Sequence, residues 1–278
     1  MVTRSKSAAV RRASLQPAAQ VSAKVAPKVA PQVALVTGAA KRIGRAIALA
    51  LARDGWDIAV HYATSRDDAL ETVRAIEALG RRAAAVKRDL AIESGVGSLI
   101  AECSAKVGAI TCVVNNASTF ELDSAADFSS DRLLRHMRTN VAAPVHLARA
   151  LHASLARGTR GVAINVLDQK LWNPNPDFLS YTLSKAALKE ATRLLAQALA
   201  PKVRVVGVAP GLTLPSHLQT ERAFKRTHAM APLGRSSEPD DVAAAIVYLA
   251  RARAVTGTTL IVDGGQHLHG TRRDYSFL

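Results

Sequence analysis

From residue 32 onward, short unbroken apolar runs alternate with longer stretches whose apolar residues recur every three or four positions. The runs Val33–Val36 (VALV), Trp56–His61 (WDIAVH), Ala83–Val86, Cys112–Val114, Gly161–Val166 (GVAINV), Val203–Val208 and Leu260–Val262 have strand length and composition. Helical periodicity predicts helices over Ile43–Arg53, Asp67–Leu79, about Gly97–Val107, about Asp131–Leu155, Ser180–Leu199 and Asp240–Ala252, with Gly80 and Pro201 as stops. Strands that are apolar throughout, rather than alternately, are covered on both faces. Strand–helix alternation with right-handed crossovers then predicts an α/β fold, a single doubly wound parallel sheet with helices on both faces, Rossmann-type. No repeat of 20–50 residues and no linker interrupts residues 32–278, so these are expected to form one domain. In such a sheet ligands bind beyond the carboxyl ends of the strands, so motifs there carry the most weight.

Residues 1–31 have a different pattern. They hold six basic residues and no acid, are rich in Ala, Ser, Val and Pro, and show no apolar periodicity. Such a segment buries too little surface to offset its ordering entropy and reads as a disordered basic tail. An organelle transit peptide, a polybasic arm for RNA or an anionic membrane, and a misassigned start codon are the competing readings. The chain's net charge of +15 divides accordingly. Without the tail, 31 basic residues face 22 acidic ones, leaving +9.

A 278-residue chain that is 49% hydrophobic is long enough for a sizeable core, which excludes a disordered protein or a disulfide-stapled miniprotein. No uncharged apolar run reaches membrane-spanning length, and no apolar region after the first charges suggests a secretory signal. Cys103 and Cys112 lack ligand spacing, so no metal site is expected and two buried thiols in a reducing cytoplasm fit best.

The first strand runs into Thr37-Gly38-Ala39-Ala40-Lys41-Arg42-Ile43-Gly44 and then a helix. Gly38 permits a tight turn, Gly44 allows close approach, and the helix N-terminus offers N–H groups and positive potential to a phosphate. The order strand, Gly-containing loop, helix resembles the T-G-x-x-x-G-x-G cofactor loop of short-chain dehydrogenases/reductases. Arg42 stands where that family usually has its middle Gly. TGAAKRIG is similar to the pteridine reductase branch and its bacterial dihydromonapterin reductase relatives. The resemblance implies that Thr37, Lys41, Arg42 and Ile43 meet the cofactor, and that Arg42 also reaches substrate. After the second strand, His61-Tyr62-Ala63-Thr64-Ser65-Arg66 contains no acid at the strand end, where NAD-binding chains usually carry one. Ser65 and Arg66 suit a 2′-phosphate, so the expected cofactor is NADPH/NADP, and His61 and Tyr62 match the pteridine reductase pattern HYxxS. The resemblance further places Asp89 and Leu90 at the adenine. It gives Asn116 and Ala117 of the NNA element a supporting role, and sets Pro210, Gly211 and Thr213 beside the nicotinamide carboxamide.

Tyr181 and Lys185 form Y-x-x-x-K, a spacing that puts both side chains on one helix face. A cation beside a phenol stabilises the phenolate and suits a general acid, so Lys185 is expected to lower the pKa of Tyr181 and to hold the nicotinamide ribose. Asn140 matches the family residue that anchors a water beside this Lys. Thirteen residues before Tyr181 the family normally has a Ser, and this chain has Asp168. An ionised carboxylate cannot donate to a carbonyl oxygen, but it suits a substrate with N–H donors or a ring nitrogen to be protonated. Pteridine reductases carry Asp here, paired with the Tyr to relay a proton. Asp168 as a plain helix cap is the alternative. Ser118 and Phe120 extend NNA as NNASxF, which in that branch places a Phe over the pterin. Trp172 is read as an active-site rim or an interface residue, and residues 214–228 as a mobile substrate lid.

The resemblance therefore implies NADPH-dependent reduction of a pterin by a cytoplasmic homotetramer, with catalytic residues Asp168, Tyr181, Lys185 and Asn140. An NADPH-dependent reductase of ketones, quinones or 3-oxoacyl groups is the second reading. A non-catalytic NADP-binding regulator with a nucleic-acid-contacting tail is the third, disfavoured by the intact Tyr181/Lys185 pair.

Overall fold

The computed structural model describes residues 32–216 and 218–278. The readings made for residues 1–31 lie outside these. Strands β1 (Val33–Val36), β2 (Asp57–Tyr62), β3 (Ala83–Lys87), β4 (Cys112–Asn115), β5 (Gly161–Val166), β6 (Val203–Pro210) and β7 (Thr259–Val262) form one sheet in the order β3-β2-β1-β4-β5-β6-β7. Every neighbouring pair is parallel. The order reverses at β1, which has β2 on one side and β4 on the other. Two crossovers leave in opposite directions there and open a crevice at the strand ends.

The helices are α1 (Arg42–Arg53), α2 (Arg66–Glu77), α3 (Glu93–Val96), α4 (Leu99–Val107), α5 (Ser130–Met137), α6 (Ala143–Ser154), α7 (Leu179–Ala198), α8 (Glu221–His228) and α9 (Pro239–Arg251). Alternate residues of each strand feed two cores, as a pleated sheet requires. On one face Val36, Val60, Val114 and Ile164 pack with Ile47 and Leu51 of α1 and Ile246 and Leu249 of α9. On the other, Leu35, Ala59, Val113 and Ala163 pack with Leu99 and Cys103 of α4 and Leu147 and Leu151 of α6. Both cysteines are buried, and burial pushes each thiol up to about 12, so neither is a ready nucleophile.

Two predicted helices are revised. The segment read as one helix over 131–155 is α5 and α6 joined by a π-helical turn, Arg138–Ala142. The one read near 97–107 is preceded by the separate turn α3. An inserted π turn leaves helical spacing on either side nearly intact, so apolar periodicity cannot reveal it.

Candidate active site

The β1–α1 loop forms the floor of the crevice. Thr37 ties it to the neighbouring strand end: its Oγ1 donates to the Val114 carbonyl at 3.2 Å and accepts from the N–H groups of Asn116 (2.9 Å) and Ala117 (3.0 Å). Asn116 Nδ2 donates back to the Thr37 carbonyl at 2.9 Å. Gly44 is obligatory here, since a Cβ would stand 2.0 Å from the Gly38 carbonyl oxygen. Arg42 has a left-handed backbone, with φ at +55°. That conformation costs a non-Gly residue about 1–2 kcal/mol.

These elements line a cleft of about 430 Å³ bounded by Gly38 and Ala40–Gly44, by Tyr62–Ser65 at the end of β2, and by Asn116–Ser118 beyond β4. Ser65 precedes α2 and makes no side-chain capping bond to it. Arg66 is exposed and 3.9 Å from Asp67, and Lys41 is exposed and 3.4 Å from Asp68. Pairs this open to solvent are weak, so both cations are available to a phosphate. Asp67 and Asp68 sit in the first turn of α2, where the helix dipole favours acids. Asp89 caps the turn after β3 by accepting from the Ala91 N–H, and Leu90 is buried beside it.

Three of the expected site residues also bond within the chain. His61 lies under the loop rather than in the cleft. It is 1% exposed, its Nδ1 accepts from the Gly38 N–H at 3.1 Å, and its Nε2 faces the Arg88 carbonyl at 3.0 Å. Burial drives its pKa to about 4, so the ring is a neutral strut with both nitrogens committed. Arg42 turns its guanidinium to the Pro215 carbonyl (3.1 Å), joining the cofactor loop to the segment read as a lid. A cavity of about 610 Å³ opens between Arg42 and that segment, walled by Pro215, Gln219, Phe224 and Lys225. Asn140 sits in the π turn, and its side chain bonds the Thr119 backbone, Ser118 and Ser184.

At the other end, α7 packs against β6 and carries Tyr181 and Lys185. Tyr181 Oη donates to Asp168 Oδ2 at 2.8 Å. Asp168 Oδ1 also accepts from the Lys170 N–H at 2.8 Å and caps the 3-10 turn Gln169–Trp172, so the carboxylate both caps that turn and contacts the phenol. The expectation that Lys185 lowers the phenol's pKa is corrected. Lys185 Nζ donates to the Val166 carbonyl at 2.7 Å, and it lies 5.7 Å from the Tyr181 ring centroid. Burial and the Asp168 carboxylate push Tyr181 well above its ordinary value. Burial likewise raises Asp168, and it brings Lys185 down to about 8 against the pull of Asp168. Asp168 and Tyr181 thus form a buried, tightly coupled carboxylate–phenol contact.

Phe120 is 39% exposed and meets the Tyr181 ring edge-on at 4.7 Å. It also stacks on Phe178 with centroids 4.3 Å apart. Pro210 ends β6. Beyond it the Gly211 N–H donates to Ser237 Oγ and to the Val262 carbonyl, and Thr213 Oγ1 bonds Ser237 Oγ and the Gly211 carbonyl. Trp172 lies under the Lys189 ammonium at 4.0 Å. The residues 214–228 include helix α8.

Several residues that shape this end escaped the sequence reading. Asp123, 1% exposed, accepts from the backbone N–H and hydroxyl of Ser180 and so anchors the start of α7. Ser184 links α7 to Asn140. Phe178, with φ at +56°, precedes α7 and carries the aromatic stack. None has a local sequence signal, because each acts through a partner far along the chain.

Known proteins share this fold. A family profile described as enoyl-(acyl carrier protein) reductase matches residues 38–267. The 3beta-hydroxysteroid dehydrogenase 1 of Eggerthella lenta is 35% identical, with 84% of this chain and 93% of that protein aligned. The solved structure of FolM alternative dihydrofolate reductase 1 from Brucella canis, complexed with NADP, is 40% identical with a TM-score of 0.83, covering 86% of this chain and 95% of that one. The angucycline C-6 ketoreductase LanV with bound NADP is 31% identical with a TM-score of 0.78, covering 86% and 96%. With its 3-2-1-4-5-6-7 sheet, its loop at the switch point and its Tyr–Lys pair on α7, the chain belongs to the short-chain dehydrogenase/reductase family of oxidoreductases.

Proposed function

We propose that the chain reduces a pterin with NADPH, and that the buried Asp168–Tyr181 pair delivers the proton. The cofactor is NADP(H), as in the similar FolM and LanV structures. The cleft suits it: Gly44 lets α1 start tightly against the Gly38 carbonyl, so the first turn of the helix lines the cleft, and no acid lines it at the end of β2, where Ser65 and Arg66 would hold the 2′-phosphate. Thr37, Gly38, Lys41 and Ile43 would frame the pyrophosphate, Asp89 and Leu90 the adenine, and Asn116 and Ala117 the loop beneath. Lys185 would hold the ribose, with Pro210, Gly211 and Thr213 at the carboxamide. Bound there, the nicotinamide supplies a hydride.

Reducing a C=N bond adds that hydride at carbon and needs a proton at nitrogen. Tyr181 and Asp168 hold one between them in a site where burial keeps it from leaving. This contact at 2.8 Å carries the reading, because the carboxylate in place of the family's Ser offers a carbonyl oxygen no donor of its own. Phe120, Ser118 and Arg42 would bind the flat heterocycle. Steady-state assays with dihydrobiopterin, dihydromonapterin and dihydrofolate test it. Asp168→Ser should cut pterin kcat/KM by about 100-fold or more and spare any carbonyl activity. Absence of NADPH oxidation with all three pterins, beside good turnover of a ketone, would overturn it. A carbonyl reductase is the second reading, favoured by the similarity to LanV and to the hydroxysteroid dehydrogenase.

A further inference from the structure

Lys170 is a buried cation that the proton delivery above does not use. It lies two residues beyond Asp168 and is 3% exposed. Its three N–H donors meet three acceptors: Asn175 Oδ1 at 2.5 Å, the Asp177 carbonyl at 2.7 Å and Asp274 Oδ2 at 2.9 Å. A buried ammonium requires a counter-charge, and the carboxylate in contact comes from the far end of the chain. The attachment is reciprocal. Asp177 accepts from the Asp274 N–H at 2.7 Å and from Arg273 Nε at 2.8 Å. The Asp274 carboxylate is also felt at Asp168 and Tyr181, where it favours the protonated forms.

Two further contacts aim this segment at the site. Phe277 stacks near-parallel on Phe178 at 5.9 Å, Phe178 stacks on Phe120, and Phe120 meets Tyr181. A row of rings thus runs from the C-terminal segment to the phenol. The Tyr275 carbonyl accepts from Gln219 Nε2 at 2.7 Å, which joins the segment to the residues read as the lid.

We propose that Arg273–Phe277 is a wall of the substrate pocket, latched by the Lys170–Asp274 ion pair, and that it selects flat aromatic substrates by fixing Phe178 and Phe120. Lys170 and Asp274 are then positioning residues, and Phe277 is a specificity determinant acting through the stack. The proposal deepens the pterin reading and rests on it.

The test uses the full chain carrying Phe277→Ala, Asp274→Asn or the double change Lys170→Met with Asp274→Leu, which leaves no lone buried charge should Asp274→Asn fail to fold. The readouts are NADPH affinity by fluorescence, melting temperature, and KM and kcat for a dihydropterin and for a small aliphatic ketone. Loss of one stacked pair predicts a dihydropterin KM raised up to about tenfold in Phe277→Ala, with the aliphatic KM and the NADPH affinity unmoved. An unchanged dihydropterin KM in all folded variants would overturn the proposal. So would an equal loss with every substrate and with NADPH, which marks a merely structural role. Should the wild type reduce ketones and no pterin, the pterin reading fails by itself. The wall is then read from the KM ratio of a polycyclic aromatic ketone to the aliphatic one, which must rise in the variants.

Discussion

Lys185 is a buried residue whose charge changes near working pH. Its burial brings the ammonium down to about 8, so the charged form is lost as pH rises through that value. If the ammonium is the form that holds the ribose, kcat/KM should fall about tenfold per pH unit above pH 8, measured with saturating dihydropterin and limiting NADPH. Lys185→Arg keeps its charge at all working pH and should remove that limb, at a lower plateau rate. His61 governs the acid side through stability rather than chemistry. Its pKa is about 4 folded against 6.5 unfolded, so below 6.5 the unfolded chain binds the extra proton. Stability is fully present above pH 6.5 and is lost as pH falls towards 4, by about 3 kcal/mol at most for this group. Thermal unfolding at pH 7 and pH 4.5 checks this: the drop should be smaller in His61→Asn than in the wild type.

Among the elements, the β1–α1 junction shows local strain joined to a distant segment. Arg42 holds a backbone conformation that glycine adopts at no cost, while its guanidinium bonds the Pro215 carbonyl. Arg42→Gly should therefore relieve about 1 kcal/mol of backbone strain and lose one exposed hydrogen bond of similar size or less. The melting temperature should barely move, while amide exchange over residues 214–220 accelerates. A marked loss of stability with unchanged exchange would contradict this. The same elements show how far a sequence can be read. Every strand and the main helices follow from apolar runs and periodicity, since burial on two faces imposes them. The placement of Gly38, Gly44, Asp168, Tyr181 and Lys185 around the strand ends was legible too, because strand ends and helix starts fix it locally. What stayed hidden depends on long-range partners. The Asp123 hold on Ser180, the engagement of both His61 nitrogens and the return of Asp274 to Lys170 join residues separated by 57, 27 or fewer, and 104 positions. The raised pKa of Tyr181 was misread for the same reason. Y-x-x-x-K spacing fixes the face that Lys185 shares with Tyr181, but not that its ammonium turns to the Val166 carbonyl.

At the scale of the whole molecule, two groups of the exposed apolar side chains lie on elements that pack together. One combines Leu134 of α5 with Leu183 and Leu194 of α7, each 45–53% exposed, on helices that pack against each other. The second lies at the β7 edge of the sheet, where Leu260 is 40% exposed, and includes Tyr248 of α9 at 58%. Exposed apolar side chains grouped on one face are candidates for association surfaces. Two different self-complementary faces are what a tetramer of two-fold symmetry needs, one for each kind of dimer contact. The homotetramer implied by the family resemblance is thus our proposal for the assembly, with α5 and α7 as one interface. Light scattering behind size exclusion should give a mass near four times that of the chain. Leu183→Lys with Leu194→Lys places two charges in the α7 face, where burial without a partner is costly. The mass should halve while far-ultraviolet circular dichroism is retained, because both side chains point away from the core. A wild-type monomer, or a tetramer indifferent to both lysines, would contradict this assignment.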